Sequence, residues 1–338
     1  MNNRVLKKRF LIGGLLTVSI ALLLFYKSAS NQRVAQELTP QEYAEVRDKY
    51  LLVLMSENPR VALDKLREET KWNDSVVRSC HALAHDLGHH AYEKYQDFGK
   101  AVQYKDELCN SGYLHGVIEA HFSKSADIFT TLQTVCSNYS TTTFVGWECY
   151  HGVGHGLMYY TSNNLPESIK LCGEYADISA AGWCRNGAYM ENFNTDQKLH
   201  HSQFLRPDDP FYPCPEQEES HKNACYLYTP MYYLSLHKND YSGALAWCKT
   251  AEQAHQNICA NGVGNQAIKE NINNPKMVEK ICMAGDSDQL KPCISGLVGL
   301  YVNHFGSVQP AQELCKQLEE SNQETCENVI KQKSILLN

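Results

Sequence analysis

Three stretches of the chain carry metal-ligating side chains four residues apart. They are CHALAHDLGHHAY (80–92), CNSGYLHGVIEAHF (109–122) and CYHGVGHGLMYY (149–160), and the pairs are His85/His89, His115/Glu119 and His151/His155. On a helix, an i, i+4 spacing sets both side chains on one face, as in metal sites built on helices. Eight of the 14 histidines fall between 81 and 155: His81, His85, His89, His90, His115, His121, His151 and His155. Imidazole suits zinc, copper, iron and nickel, whereas calcium and magnesium prefer oxygen. The expected cofactor is therefore a transition metal ion: zinc, copper or iron. The six chosen ligands, with Asp86, Glu148 and Glu191 nearby, outnumber the four of one zinc, so one or two ions are expected. The remaining histidines, His200, His201, His221, His237, His255 and His304, read as ordinary core or surface residues. Cys149 to Pro166 holds no charged residue, unlike a solvated helix face.

Other catalytic constellations are missing. The chain lacks G-x-S-x-G, H-E-x-x-H and C-x-x-C, and HGVGHG has neither the lysine nor the strand context of a phosphate loop.

Something must position these helices, and the 14 cysteines indicate what. From Cys214 onward, gaps of 11 alternate with gaps of 23, 23 and 22, a repeat of 34, 34 and 33 residues. Upstream, Cys136/Cys149 and Cys172/Cys184 keep the alternation with slightly longer loops. The first cysteine of each pair ends a charged amphipathic segment such as ESIKLC, MVEKIC or AQELC, read as helix A. The second opens an apolar segment, C-x-x-G, read as helix B. The pair staples one hairpin, and Gly152, Val153 and Gly156 beneath Cys149 are expected to let helix A approach closely. By elimination Cys80 is expected to pair with Cys109 across neighbouring repeats, the alternative being two free or metal-bound thiols. At about 100° per residue from the opening cysteine, all six ligands point away from helix A. B helices are thus expected on a concave inner layer, with the histidines in a groove or cavity and Gln41–Arg67 placed to cap it.

The fold class read here is all-α, a disulfide-stapled α-solenoid of about seven helical hairpins. Its period resembles the tetratricopeptide class, and its stapling resembles the cysteine-rich, secreted members of that superfamily. The resemblance covers roughly 95–330 in period and cysteine phase. It excludes the W-x2-L-G-x2-Y signature and implies no shared reaction.

Arg4, Lys7, Lys8 and Arg9 precede an uncharged run from Phe10 to Tyr26. This reads as a cytoplasmic head (1–9), a transmembrane signal anchor (10–26), a linker (27–40) and an extracytoplasmic domain (41–338). Within that domain 76–160 is the His-rich part and 130–330 holds the regular stapled repeats. Cleavage near Ser28-Ala29-Ser30 is the rival reading. Either way the main domain is expected in the periplasm or outside the cell, where cysteine pairs form. The net charge is −7 overall, and about −12 without the five basic residues of 1–27. That excludes a nucleic-acid groove. Three functions remain: an extracytoplasmic metal-binding protein, including a metalloenzyme; a scaffold gripping a protein or peptide in its groove; and an envelope assembly factor with structural histidines.

Overall fold

Asn, Asp and Thr side chains cap one helix after another. Asn58, Asn73, Asp97, Asp127, Thr143, Asn164 and Asp240 each accept from a backbone N–H in the first turn. The short turns between them let each helix double back on its predecessor. A computed structural model describes residues 38–194 and 202–337. The expected head and anchor, the linker up to residue 37, His200 and His201 lie outside these. Among the described residues there are sixteen α-helices and no strand, and no helix is long and apolar enough to cross a membrane.

Helix α1 (Pro40–Ser56) leads into hairpins α2 (Pro59–Thr70) with α3 (Asp74–Tyr95), α4 (Phe98–Val102) with α5 (Leu108–Ser123), and α6 (Ile128–Val135) with α7 (Phe144–Tyr160). Next come α8 (Leu165–Cys172) with α9 (Ile178–Asn194), then α10 (Glu219–Leu236). The series ends with α11 (Tyr241–Cys248) and α12 (Gln256–Glu270), α13 (Pro275–Met283) and α14 (Ser287–Phe305), and α15 (Gln309–Cys315) and α16 (Glu320–Leu337). Between α9 and α10 the described residues hold only a 3-10 turn, Cys214–Glu216. Pro207, Pro210, Pro213 and Pro215 explain the missing helix, since each removes an N–H and blocks the preceding turn.

All seven expected disulfides are present: 80–109, 136–149, 172–184, 214–225, 248–259, 282–293 and 315–326. Each contributes about 2–4 kcal/mol, chiefly by constraining the unfolded chain. The long helices α3, α5, α7, α9, α10, α12, α14 and α16 pack each on the next.

The glycines serve this second kind of contact. A Cβ on Gly152 would lie 2.8 Å from Ile118 Cδ1 and 2.9 Å from His115 Cδ2, both on α5. One on Gly187 would lie 1.9 Å from the His151 carbonyl oxygen, on α7. The C-x-x-G glycine thus brings successive B helices together, in place of the expected approach to helix A.

The row of B helices also returns on itself, with α12 packed on α3 and α14 on α5. Arg78 pairs with Glu270 at 3.2 Å, and Asn273 Nδ2 donates to the Thr70 carbonyl (3.0 Å) and to Asp74 (3.1 Å). From α16, Lys333 donates to Asn303 (2.9 Å) and stands 5.2 Å from the ring centre of Trp147 on α7. Gln41–Arg67 packs along α3, the first of the histidine-bearing helices. It forms α1 and most of α2, whose polar anchors run from Tyr43 to Asp86 and from Arg60 and Arg67 to Asp106.

Candidate metal centre

Four imidazoles hold their Nδ1 protons in fixed directions. His81 Nδ1 donates to the Cys109 carbonyl (2.6 Å), His85 Nδ1 to Glu119 (3.1 Å), His151 Nδ1 to Asn186 Oδ1 (3.1 Å) and His155 Nδ1 to Glu191 (2.7 Å). A carbonyl or carboxylate only accepts, so in each neutral ring the lone pair sits on Nε2. These four Nε2 atoms meet in two pairs, His81 with His85 at 3.1 Å and His151 with His155 at 3.2 Å. Two facing lone pairs repel unless a cation lies between them. Neighbouring ligands of a tetrahedral ion with metal–nitrogen bonds of about 2.0–2.1 Å lie about 3.3 Å apart, close to both separations.

His115 lies among all four rings, with centroids 5.5 Å from His81 and His85, 5.2 Å from His151 and 4.7 Å from His155. Both of its nitrogens are buried without a hydrogen-bond partner. Such orphaned atoms cost free energy in a protein interior unless something absent from the protein satisfies them. A metal ion supplies what these donors lack, so the donor set fits one. Ligand atoms of His81, His85 and His115 lie within 4.8 Å of one another, as do those of His85, Glu119 and His155.

Electrostatics favour a metal over a proton at three of the rings. Burial, reinforced by neighbouring imidazoles, drives His81, His115 and His151 well below the usual histidine value, leaving them in the neutral ligand form. Burial acts the same way on His85, but the adjacent Glu119 carboxylate outweighs it and raises that ring. Glu119 feels burial pushing it up, and the His85 and His89 imidazoles hold it well below the carboxylate range.

The backbone assists at the start of α5. Cys109, Asn110 and Ser111 adopt left-handed φ values of 55°, 57° and 55°, uncommon for three non-glycine residues, where the Cys109 carbonyl meets His81. On the far side Glu148, 3% exposed, lies 3.9 Å from His115 Nε2, and burial pushes its carboxyl up to about 8. Beside Glu148 a cavity of about 10 Å³, bordered by Ser111, Leu114 and Phe144, has room for about one water.

Of the six ligands expected from sequence, His85, His115, Glu119, His151 and His155 come together. His89 joins at the edge, donating from Nε2 to Glu119 at 2.6 Å with its side chain 24% exposed. His115, Glu119, His151 and His155 are at most 5% exposed, so the wall is enclosed and not an open groove. Asp86 turns away to accept from Tyr43 (2.8 Å). Sequence reasoning omitted His81 from the ligand set, although it stands four residues before His85, and it omitted Asn186. Comparison with protein-family models, curated proteins and solved structures yields no match for this chain.

Proposed function

We propose that this is a membrane-anchored, extracytoplasmic helical-repeat protein whose buried histidine cluster binds a transition metal, zinc, copper or iron. The single observation that carries the reading is the pair of Nε2–Nε2 contacts, 3.1 and 3.2 Å, with every opposite Nδ1 already committed to an acceptor. Committed Nδ1 partners of this kind orient histidine ligands in metal sites. The ligand set is His81, His85, His115, His151 and His155, with Glu119 as the carboxylate among them. Seven disulfides support an oxidising compartment. The repeat period and staples support the reading as a solenoid resembling cysteine-rich members of the tetratricopeptide superfamily.

Bound metal would supply Lewis acidity or redox chemistry that a disulfide-stapled helical shell lacks. The shell's part is to keep three imidazoles neutral and to exclude bulk water. The least covered rings, His85 and His89 at 15% and 24% side-chain exposure, mark the side from which an ion reaches the cluster. Plasma mass spectrometry of the purified protein after exposure to zinc, copper and iron tests this. Stoichiometric metal is expected. No stoichiometric metal would overturn the reading and leave the peptide-binding scaffold in its place.

A further inference from the structure

We infer that His255, Glu219 and Glu252 form a second divalent-cation site, independent of the histidine centre and joining two successive hairpins. His255 ends the 3-10 turn Gln253–His255 that leads into α12, whereas Glu219 opens α10. The imidazole is 3% exposed and stacks on Tyr226, with centroids 4.8 Å apart and planes at 11°. Its Nδ1 donates to Asn223 Oδ1 at 2.9 Å, which places the lone pair of the neutral ring on Nε2. That Nε2 is buried and has no hydrogen-bond partner. It is aimed between Glu219 Oε1 at 3.4 Å and Glu252 Oε2 at 3.6 Å.

A lone pair facing two carboxylates leaves the imidazole nitrogen with no positive partner of its own, and the three ligand atoms lie within 4.8 Å of one another. Lys222 supplies part of the missing charge. Its ammonium bonds Glu252 at 2.9 Å and approaches Glu219 Oε2 at 3.5 Å, holding the two side chains together while leaving Glu219 Oε1 to the imidazole. One imidazole and two carboxylates suit zinc best, with water completing the coordination. Because Glu219 and Glu252 are 74% and 43% exposed, the affinity is expected to be modest. An ion here would brace α10, which follows the short Cys214–Glu216 turn.

The rival occupant is a proton, making His255 an imidazolium paired with both acids. Zinc titration of the full chain, read by mass spectrometry of bound metal, separates the two. It is run in the native sequence and in a His151→Ala/His155→Ala background. His255→Gln should bind one zinc fewer in both backgrounds, and the exposed pair Glu219→Gln/Glu252→Gln should weaken that zinc at least tenfold even if His255→Gln fails to fold. In zinc-free protein at pH 7.5, nitrogen NMR should show His255 Nε2 unprotonated and shifting on zinc addition. Equal zinc uptake by the native protein and the Glu219/Glu252 variant, or a protonated Nε2 at that pH, would overturn the inference.

Discussion

His151 and His155 hold their Nε2 atoms 3.2 Å apart while their Nδ1 protons go to Asn186 and Glu191 on the next long helix. The same arrangement recurs one hairpin pair earlier. There His81 and His85 face each other at 3.1 Å, and their Nδ1 partners, Cys109 and Glu119, again belong to the following long helix. Each imidazole pair is therefore aimed by its successor in the stack, so stacking order and the geometry of the cluster are one structural problem. His115 sits between the two pairs and belongs to the helix that aims the first.

Removing the second pair tests that economy. His151→Ala/His155→Ala should abolish the metal bound at the histidine centre while circular dichroism stays helical and all seven disulfides still form. The cysteines lie on a different face of α7, so loss of helicity along with the metal would show that the imidazoles are core residues first.

Acidity should weaken the metal-free fold. His81, His115 and His151 titrate lower in the folded chain than when unfolded, so below about 6.5 the unfolded chain binds more protons and stability falls with pH. Each group contributes up to about 1.4 kcal/mol per pH unit. Glu148, raised to about 8 by burial, runs the other way through this window and offsets about one of them. Below 6.5, His85, whose value is raised, is charged in both states and adds nothing. Burial lowers His121, His221 and His304 as well, the last to about 4, so urea melts at pH 6.5 and 5.5 should show a net loss of about 2–4 kcal/mol. Metal affinity should fall over the same range, because protonated imidazole is no ligand.

The cysteine beat made the hairpins and their staples legible, including 80–109 by elimination, and the i, i+4 pairs made five of the clustered side chains legible. What the beat hid was which neighbour lies on each face. A helical wheel drawn from Cys149 gives the direction of Gly152 but not that α5 lies there in place of helix A. His81 was missed because the run 81, 85, 89 offers two i, i+4 pairs, and only the Cys109 carbonyl favours the first. The return of α12 onto α3 through Arg78 and Glu270 joins residues with no local signal at all. His255 looked ordinary because Glu219 and Asn223 belong to the preceding long helix, although Glu252 stands at i, i+3 from it.

Close approach of the long helices can be tested apart from the ligands. Gly187→Ala would drive a methyl group to 1.9 Å from the His151 carbonyl oxygen, forcing α7 and α9 apart. Overpacking of this kind costs about 1–3 kcal/mol. The shift also pulls Asn186 and Glu191 from the rings they orient, so chemical denaturation should show the lost stability and metal analysis a weaker site. Gly182→Ala on the same helix meets nothing within 4 Å and should leave both unchanged.

The staples should differ in what they protect. Cys315–Cys326 joins α15 to α16, remote in sequence from every central ligand, whereas Cys80–Cys109 ties α3 to the start of α5. Cys109 also supplies the carbonyl that takes the His81 Nδ1 proton at 2.6 Å. Replacing either pair with serine should cost about 2–4 kcal/mol of stability. Only the Cys80→Ser/Cys109→Ser variant should also weaken metal binding, because freeing the left-handed turn at 109–111 releases the His81 ring and its lone pair from the cluster. Zinc titrations of the two variants under conditions where both stay folded measure the difference. Equal affinities would mean that packing of α3 on α5, through Gly88 and Gly116, fixes His81 without help from the staple.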